Sequence, residues 1–179
     1  MVSNIIGGKL MENKVLEIIN VSKSFGKNKI IRNISLSANS SEIFGFLGPN
    51  GAGKSTTIKM IVGFSNIDTG DILVNGYSIK KDFLNAMKYV GGIVENPDLY
   101  EYLSGYDNLK LVARIYKVKN SKLNEIVETV GLKNRIKDKV SKYSLGMKQR
   151  LGLALALIRN PKLLILDEPT NRTGSPGNT

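Results

Sequence analysis

The chain has 179 residues with 26 Lys and Arg against 15 Asp and Glu, a formal charge of +11, and 41% of its residues are apolar. That length suits one domain, or one with a small insertion, and that apolar share is enough for a packed core. Neither Cys nor His occurs, which excludes disulfides, thiolate zinc sites, cysteine nucleophiles and Ser-His-Asp triads, and leaves carboxylates, lysines, hydroxyls and backbone amides to carry any chemistry.

In chain order, residues 1–10 are glycine-interrupted and show no clear period. Val15–Val21 is a β-branched run and predicts a strand, and Ile30–Leu36 predicts a second by partial two-residue alternation. Gly26 and Asn28 between them mark a hairpin turn. Glu42–Leu47 is mostly apolar and predicts a third, buried strand, followed by a glycine-rich turn and a helix over Thr56–Val62. Ile72–Val74 and Tyr89–Val94 predict further strands. Asn108–Tyr116 and Leu123–Val130 predict amphipathic helices, the first with Leu109, Val112, Ala113 and Tyr116 on one face. Ser144–Ile158 predicts a long helix, and Leu163–Leu166 a short buried strand ending in two acids. The order is antiparallel-type strands, then α/β, a helical insert, and α/β again, which implies a nucleotide-binding α/β core with two attachments. The longest apolar stretch, Leu151–Ile158, is too short to span a membrane, and the first residues lack a secretory pattern, so the chain reads as cytosolic. The basic balance suits anionic partners, or simply a lysine-rich solvated surface.

The segment Gly48-Pro49-Asn50-Gly51-Ala52-Gly53-Lys54-Ser55 fits G-x-x-x-x-G-K-[ST] throughout. Its glycines let successive N–H groups turn inward toward phosphate oxygens, and the positive end of the following helix adds to the attraction. Lys54 supplies a cation for the β- and γ-phosphates, and the Ser55 hydroxyl a ligand for Mg²⁺. The second half is Leu163–Leu166 followed by Asp167 and Glu168. A strand there delivers Asp167 to hold Mg²⁺ directly or through water, with Glu168 placed to orient an attacking water. A strand that happens to end in acids before Pro169 would look the same in isolation; the phosphate loop upstream raises the functional reading.

With these motifs in place the chain resembles the ATP-binding subunit of an ABC transporter, over roughly 15–171. The fold implied is a P-loop NTPase α/β core with an N-terminal antiparallel β subdomain and a helical insert at about 96–150, as a single ATP-binding domain incomplete at its C-terminus. The most specific feature is Tyr143-Ser144-Leu145-Gly146-Met147-Lys148-Gln149-Arg150, which resembles the family's L-S-G-G-Q signature and lies 23 residues before Asp167. Ser144 and Gly146 match, while Leu145 and Met147 depart. The resemblance implies that Ser144 and Gly146 face an ATP held by a partner copy, although Ser144 would also serve as a plain helix cap. It further implies that Phe25, like Thr56 beside the loop, belongs to the ATP site, with the ring stacking on adenine; a core Phe is the plain alternative. Glu95 stands where the family usually has a Gln that ligates Mg²⁺ and couples to the membrane subunit. Glu there, with the variant signature, resembles the bacitracin-resistance and lantibiotic-immunity branch. Leu99, Tyr100, Tyr102 and Leu103 become candidates for a docking groove.

The implied function is an ATP-binding and hydrolysing subunit of a bacterial exporter, with a peptide antibiotic as cargo. A membrane-spanning permease and a second ATP-binding copy are the implied partners, at the cytoplasmic face of the membrane, with ATP and Mg²⁺ as cofactors and no nucleic acid expected. The alternatives are a soluble ABC-type ATPase acting on DNA or ribosomes, and a non-hydrolysing nucleotide-binding fragment. Residues 1–10 read as a translated leader with Met11 as the start, and 172–179 as a frame-shifted or vector-derived tail, since the family continues with N-G-L-D-P and a later His. On that reading the chain alone is poorly stable, with little or no turnover.

Overall fold

A computed structural model describes residues 13–94 and 97–167. Its elements run β1 (Lys14–Phe25), β2 (Asn28–Asn39), α1 (Lys54–Ile61), β3 (Thr69–Val74), β4 (Tyr77–Ser78), α2 (Phe83–Met87), β5 (Val90–Ile93), α3 (Gly105–Ile115), α4 (Asn120–Thr129), α5 (Leu145–Leu157) and β6 (Leu163–Leu166), with a 3₁₀ turn at Val140–Lys142 before α5. The described residues fall into two compact units, one drawn from Met1–Val90 and Pro161–Leu163, the other from Gly91–Asn160 and Leu164–Thr179.

The first unit is built on an antiparallel sheet in the order β2-β1-β3-β4. The β1–β2 hairpin closes with Phe25 opposite Asn28, so Gly26 and Lys27 form a two-residue turn. Gly26 takes the positive φ of 58° that such a turn needs at its first position. β1 runs past the predicted Val21 because it carries a bulge. Asn20 and its neighbour across the hairpin, Asn33, both adopt φ of 48°, a conformation asparagine tolerates, and the register slips between Ile18 and Val21. The slip reverses the inside-outside alternation: Leu16 and Ile18 are buried before it, Val21 and Lys23 after it. Ser35 secures the bend by accepting the Asn20 N–H at 2.9 Å, and Ser22 does the same for Asn33 at 3.0 Å. Met60 and Ile61 of α1, with Ile72 and Val74 of β3, supply further buried apolar side chains.

In the second unit α3, α4 and α5 enclose Leu109, Ala113, Leu123, Ile126, Val127, Leu151, Ala154 and Ile158. Local signals set the ends of these helices. Ser104 caps α3 by accepting the Asp107 N–H at 3.0 Å, with Asp107 suiting the positive end of the helix. Gly131 at φ 68° closes α4, where the Leu132 N–H returns to the Val127 carbonyl at 3.1 Å. Of the face predicted for α3, Leu109 and Ala113 are buried and Val112 packs on the same core, whereas Tyr116 is 45% exposed just past the helix end. β5 pairs with β6, and the bonds from Leu163 N to Tyr89 O and from Asp167 N to Ile93 O advance together along both chains, the pattern of a parallel pair.

One predicted strand is absent. Glu42–Leu47 is neither a strand nor buried: Ile43 is 101% and Leu47 92% exposed. Apolar composition gives such a run its propensity, but a strand exists only with a neighbour to bond, and among the described residues none pairs with it. Glu42 folds back instead, its carboxylate accepting the Asn39 N–H at 2.7 Å. β6 forms where predicted, yet only Ile165 is buried, with Leu164 and Leu166 more than a third exposed. β4, α2 and the 3₁₀ turn were not predicted; each is too short for a periodic signal.

Candidate functional site

In the first unit the glycine-rich loop leads into α1. Gly48, Pro49, Asn50, Gly51 and Ala52 are exposed, while Gly53 is buried. Gly53 stands at the start of α1 in the left-handed region, φ 89° and ψ 10°. A Cβ there would also meet Ile31 Cγ1 at 3.1 Å, so both backbone and space demand glycine. The first intrahelical bond is Thr57 N to Gly53 O at 2.8 Å, reinforced by the Thr57 hydroxyl donating to the same carbonyl at 2.9 Å. Helix geometry therefore gives the N–H groups of Lys54, Ser55 and Thr56 no intrahelical acceptor. Among the described residues no side chain caps this end, and the first turn carries no acid. The Lys54 ammonium bends over the loop and donates to the carbonyls of Gly48 at 2.7 Å and Pro49 at 2.9 Å. A cation, converging amides and an exposed Ser55 hydroxyl at one helix start suit a polyanion.

Phe25 lies at the tip of the hairpin, 54% exposed, so the core-Phe alternative fails. Lys23, two residues back on the same strand face, is paired with Ile31, the residue that abuts Gly53. The hairpin tip is thereby tied to the end of the phosphate loop. Sequence reading missed the groups that fix this ring. Lys23 is buried, with its ammonium 5.2 Å from the Phe25 ring centroid and 2.9 Å from Asp68 Oδ1. Asp68 Oδ2 accepts the Ser24 N–H at 2.7 Å. The Lys23 hydrogen bond and then the Ser24 N–H hold the Asp68 carboxyl below the ordinary carboxylate value. Lys23 falling between Val21 and Phe25 in the two-residue alternation is the one local hint; Asp68, 45 residues away, gives none.

The second unit holds Ser144, Gly146 and Asp167. Ser144 starts α5 with φ −66° and ψ 163°, its hydroxyl accepting the Met147 N–H at 3.3 Å. It and Gly146 are exposed, and a Cβ on Gly146 would meet nothing within 4 Å. Tyr143, just ahead, is buried and donates its hydroxyl to the Arg135 carbonyl at 2.9 Å. Burial pushes its phenol up, and the Asp138 charge adds to that. Gly105 makes this packing possible, because a Cβ there would lie 2.3 Å from the Tyr143 hydroxyl. Lys148 of α5 pairs with Glu101, whose carbonyl accepts the Ser141 N–H at 2.9 Å. Asn108, buried, clamps the same loop by bonding both the N–H and the carbonyl of Tyr100, at 2.9 and 3.1 Å. The loop therefore presents Tyr100 and Tyr102 outward, edge to face at 6.0 Å, while Leu99 packs on the core. Asp167 follows β6, partly buried, with its own N–H bonded to Ile93 O at 3.1 Å. Glu95, Glu168 and the terminal segments 1–10 and 172–179 lie outside the described residues.

The chain matches the family model for ABC transporters over residues 31–171. It is 56% identical to an uncharacterised ABC transporter ATP-binding protein of Bacillus subtilis, YhcH, over 88% of this chain and 52% of that protein. It is 43% identical to the lantibiotic transport ATP-binding protein SrtF of Streptococcus pyogenes, over 88% of this chain and 67% of SrtF. With the bacitracin transport ATP-binding protein BcrA of Bacillus licheniformis the identity is 40%, over 88% of this chain and 52% of BcrA. The chain thus spans about half the length of most of these relatives. A solved structure of an ATP-binding subunit of an ABC transporter superposes with a TM-score of 0.77 at 29% identity, covering 87% of this chain and 67% of that one. Loop, hairpin and helical unit are those of a P-loop NTPase with an antiparallel β subdomain, and the chain belongs to the ABC transporter family as an ATP-binding domain.

Proposed function

We propose that this chain supplies the ATP-binding and ATP-hydrolysing part of a bacterial ABC exporter whose cargo is a peptide antibiotic. The observation that carries the reading is the uncapped start of α1, with the Lys54 ammonium folded onto the Gly48 and Pro49 carbonyls. In that position Lys54 can exchange loop carbonyls for phosphate oxygens with little movement, and the amides of Lys54, Ser55 and Thr56 complete the cradle. Phe25 offers an exposed ring for the adenine. Ser55, Asp167 and Glu95 are all oxygen donors, the set a hard divalent cation such as Mg²⁺ takes, and the charge it supplies neutralises the β- and γ-phosphate oxygens. Glu168 accepts a proton from a water that attacks the γ-phosphorus in line, and the bond to the β-phosphate oxygen breaks to release ADP.

Ser144 and Gly146 face the γ-phosphate of an ATP held by a second copy; their exposure, and the open space at Gly146, support this. A separate permease supplies the membrane passage; that SrtF and BcrA are named as transport ATP-binding proteins supports this. Tyr100 and Tyr102 are candidates to meet it, at the cytoplasmic face. The names of the relatives SrtF and BcrA support the cargo class. Calorimetric titration with ATP and Mg²⁺ tests the reading: the chain binds, Lys54→Ala binds about tenfold to a hundredfold more weakly, and in the whole protein Glu168→Gln binds without turnover. Equal ATP affinity for Lys54→Ala and the parent chain would overturn it.

A further inference from the structure

We propose that the outer face of α3, with the turn that joins it to α4, is an interfacial surface that binds anionic lipid headgroups. Between Asp107 and Glu125 every charged residue is a cation: Lys110, Arg114, Lys117, Lys119 and Lys122. This one segment carries +5 of the formal +11. The inner face of the helix is committed to the core through Leu109 and Ala113. The outer face is not simply polar, as a solvated helix would be. Leu111 and Ile115, four residues apart and so on one stripe, are 38% and 72% exposed, and Tyr116 beyond them is 45% exposed. The Arg159 guanidinium stacks over the Tyr116 ring at 4.4 Å and brings a further cation to the same edge. The turn is ordered: Lys117 takes φ 54°, and the Val118 N–H returns to the Ala113 carbonyl at 2.8 Å. Lys117 and Lys119 are both exposed around it.

Cations interleaved with large exposed apolar side chains are what a bilayer interface rewards on both counts, through headgroup charge and acyl-boundary burial. A nucleic acid would reward the lysines and arginine through its phosphates and leave Ile115 and Leu111 without a partner. The apolar stripe therefore decides for lipid. The proposal uses no residue of the phosphate loop, and it holds or falls independently of ATP binding.

Co-sedimentation of the chain with vesicles of phosphatidylcholine, alone or with phosphatidylglycerol added, tests it. Binding is expected only with phosphatidylglycerol and weakens as salt rises. Each cation removed costs roughly fivefold in partitioning, so Lys117→Gln with Lys119→Gln lowers it about 25-fold. Ile115→Ser is expected to weaken binding at low and high salt alike. Lys139→Gln with Lys142→Gln, exposed cations elsewhere on the same unit, should leave it unchanged. No preference for phosphatidylglycerol overturns the proposal, and so does an equal loss in the Lys139 and Lys142 variant. Tighter binding to duplex DNA than to these vesicles, with Ile115→Ser indifferent, overturns it in favour of a nucleic-acid surface.

Discussion

Two helix starts in this molecule share a dipole and differ in everything that meets it. α1 begins at a glycine in the left-handed region, without a side-chain cap, under a lysine bent over the loop. α5 begins at a serine in extended conformation whose hydroxyl already serves the Met147 N–H, at 3.3 Å. The first is left open to water or an anion. The second is closed by its own chain, through a bond long enough to yield, with open space at Gly146. A helix N-terminus is thus a potential anion site whose readiness depends on whether the sequence has capped it.

Lys54→Ala probes the contrast hardest. Hydrogen bonds to a charged group are worth about 1.5–3 kcal/mol, so ATP affinity should fall about tenfold to a hundredfold by calorimetry. Ser144→Ala should leave that affinity unchanged in the isolated chain; an equal fall would erase the distinction between the two helix starts. Next comes Gly105→Ala, which forces a methyl against the Tyr143 hydroxyl and, at 3.2 Å, the Ile136 carbonyl. Overpacking of this kind costs about 1–3 kcal/mol in urea unfolding, with ATP binding retained, because the damage falls within the helical unit, to which the phosphate loop does not belong. Ser144→Ala itself should cost about 1 kcal/mol of stability as a lost cap.

The smallest effect is one of pH. The folded Asp68 carboxyl titrates below its unfolded value, so its contribution is present above the ordinary aspartate pKa and is lost as pH falls through the depressed one. Stability of the Phe25 hairpin should therefore drop below about pH 4, and Asp68→Asn should flatten that dependence in an acid titration followed by circular dichroism. An unchanged profile would show that Asp68 does not hold the hairpin.

The phosphate loop and the start of α5 were legible in the sequence because their determinants are local. Gly53, Lys54 and Ser55 are neighbours in the chain, as are Ser144 and Met147, whereas α3 begins at Gly105, ahead of the predicted Asn108, behind a Ser104 cap that periodicity did not mark. The Asp68–Lys23–Phe25 cluster was illegible for the opposite reason: its partners come from β1 and from a loop 45 residues beyond Lys23. The bulge at Asn20 was hidden too, because it inverts the alternation on which strand reading depends.

Ile43–Leu47 and Leu163–Leu166 carry the lesson furthest, being apolar runs that read alike. Leu163–Leu166 forms a strand because β5 lies alongside, closely enough that a Cβ on Gly92 would meet the Ile165 carbonyl at 3.1 Å. Ile43–Leu47 finds no such neighbour among the described residues and stays exposed. By itself the sequence determined the family, the phosphate-binding loop and the longer helices, because hydrogen bonds a few residues apart need no help from the rest of the chain. Only the tertiary structure decided which apolar run became a strand, which aromatic ring stayed exposed beside the loop and what holds it there. Strand pairing and long-range ion pairs draw both partners from distant segments, and only folding brings them together.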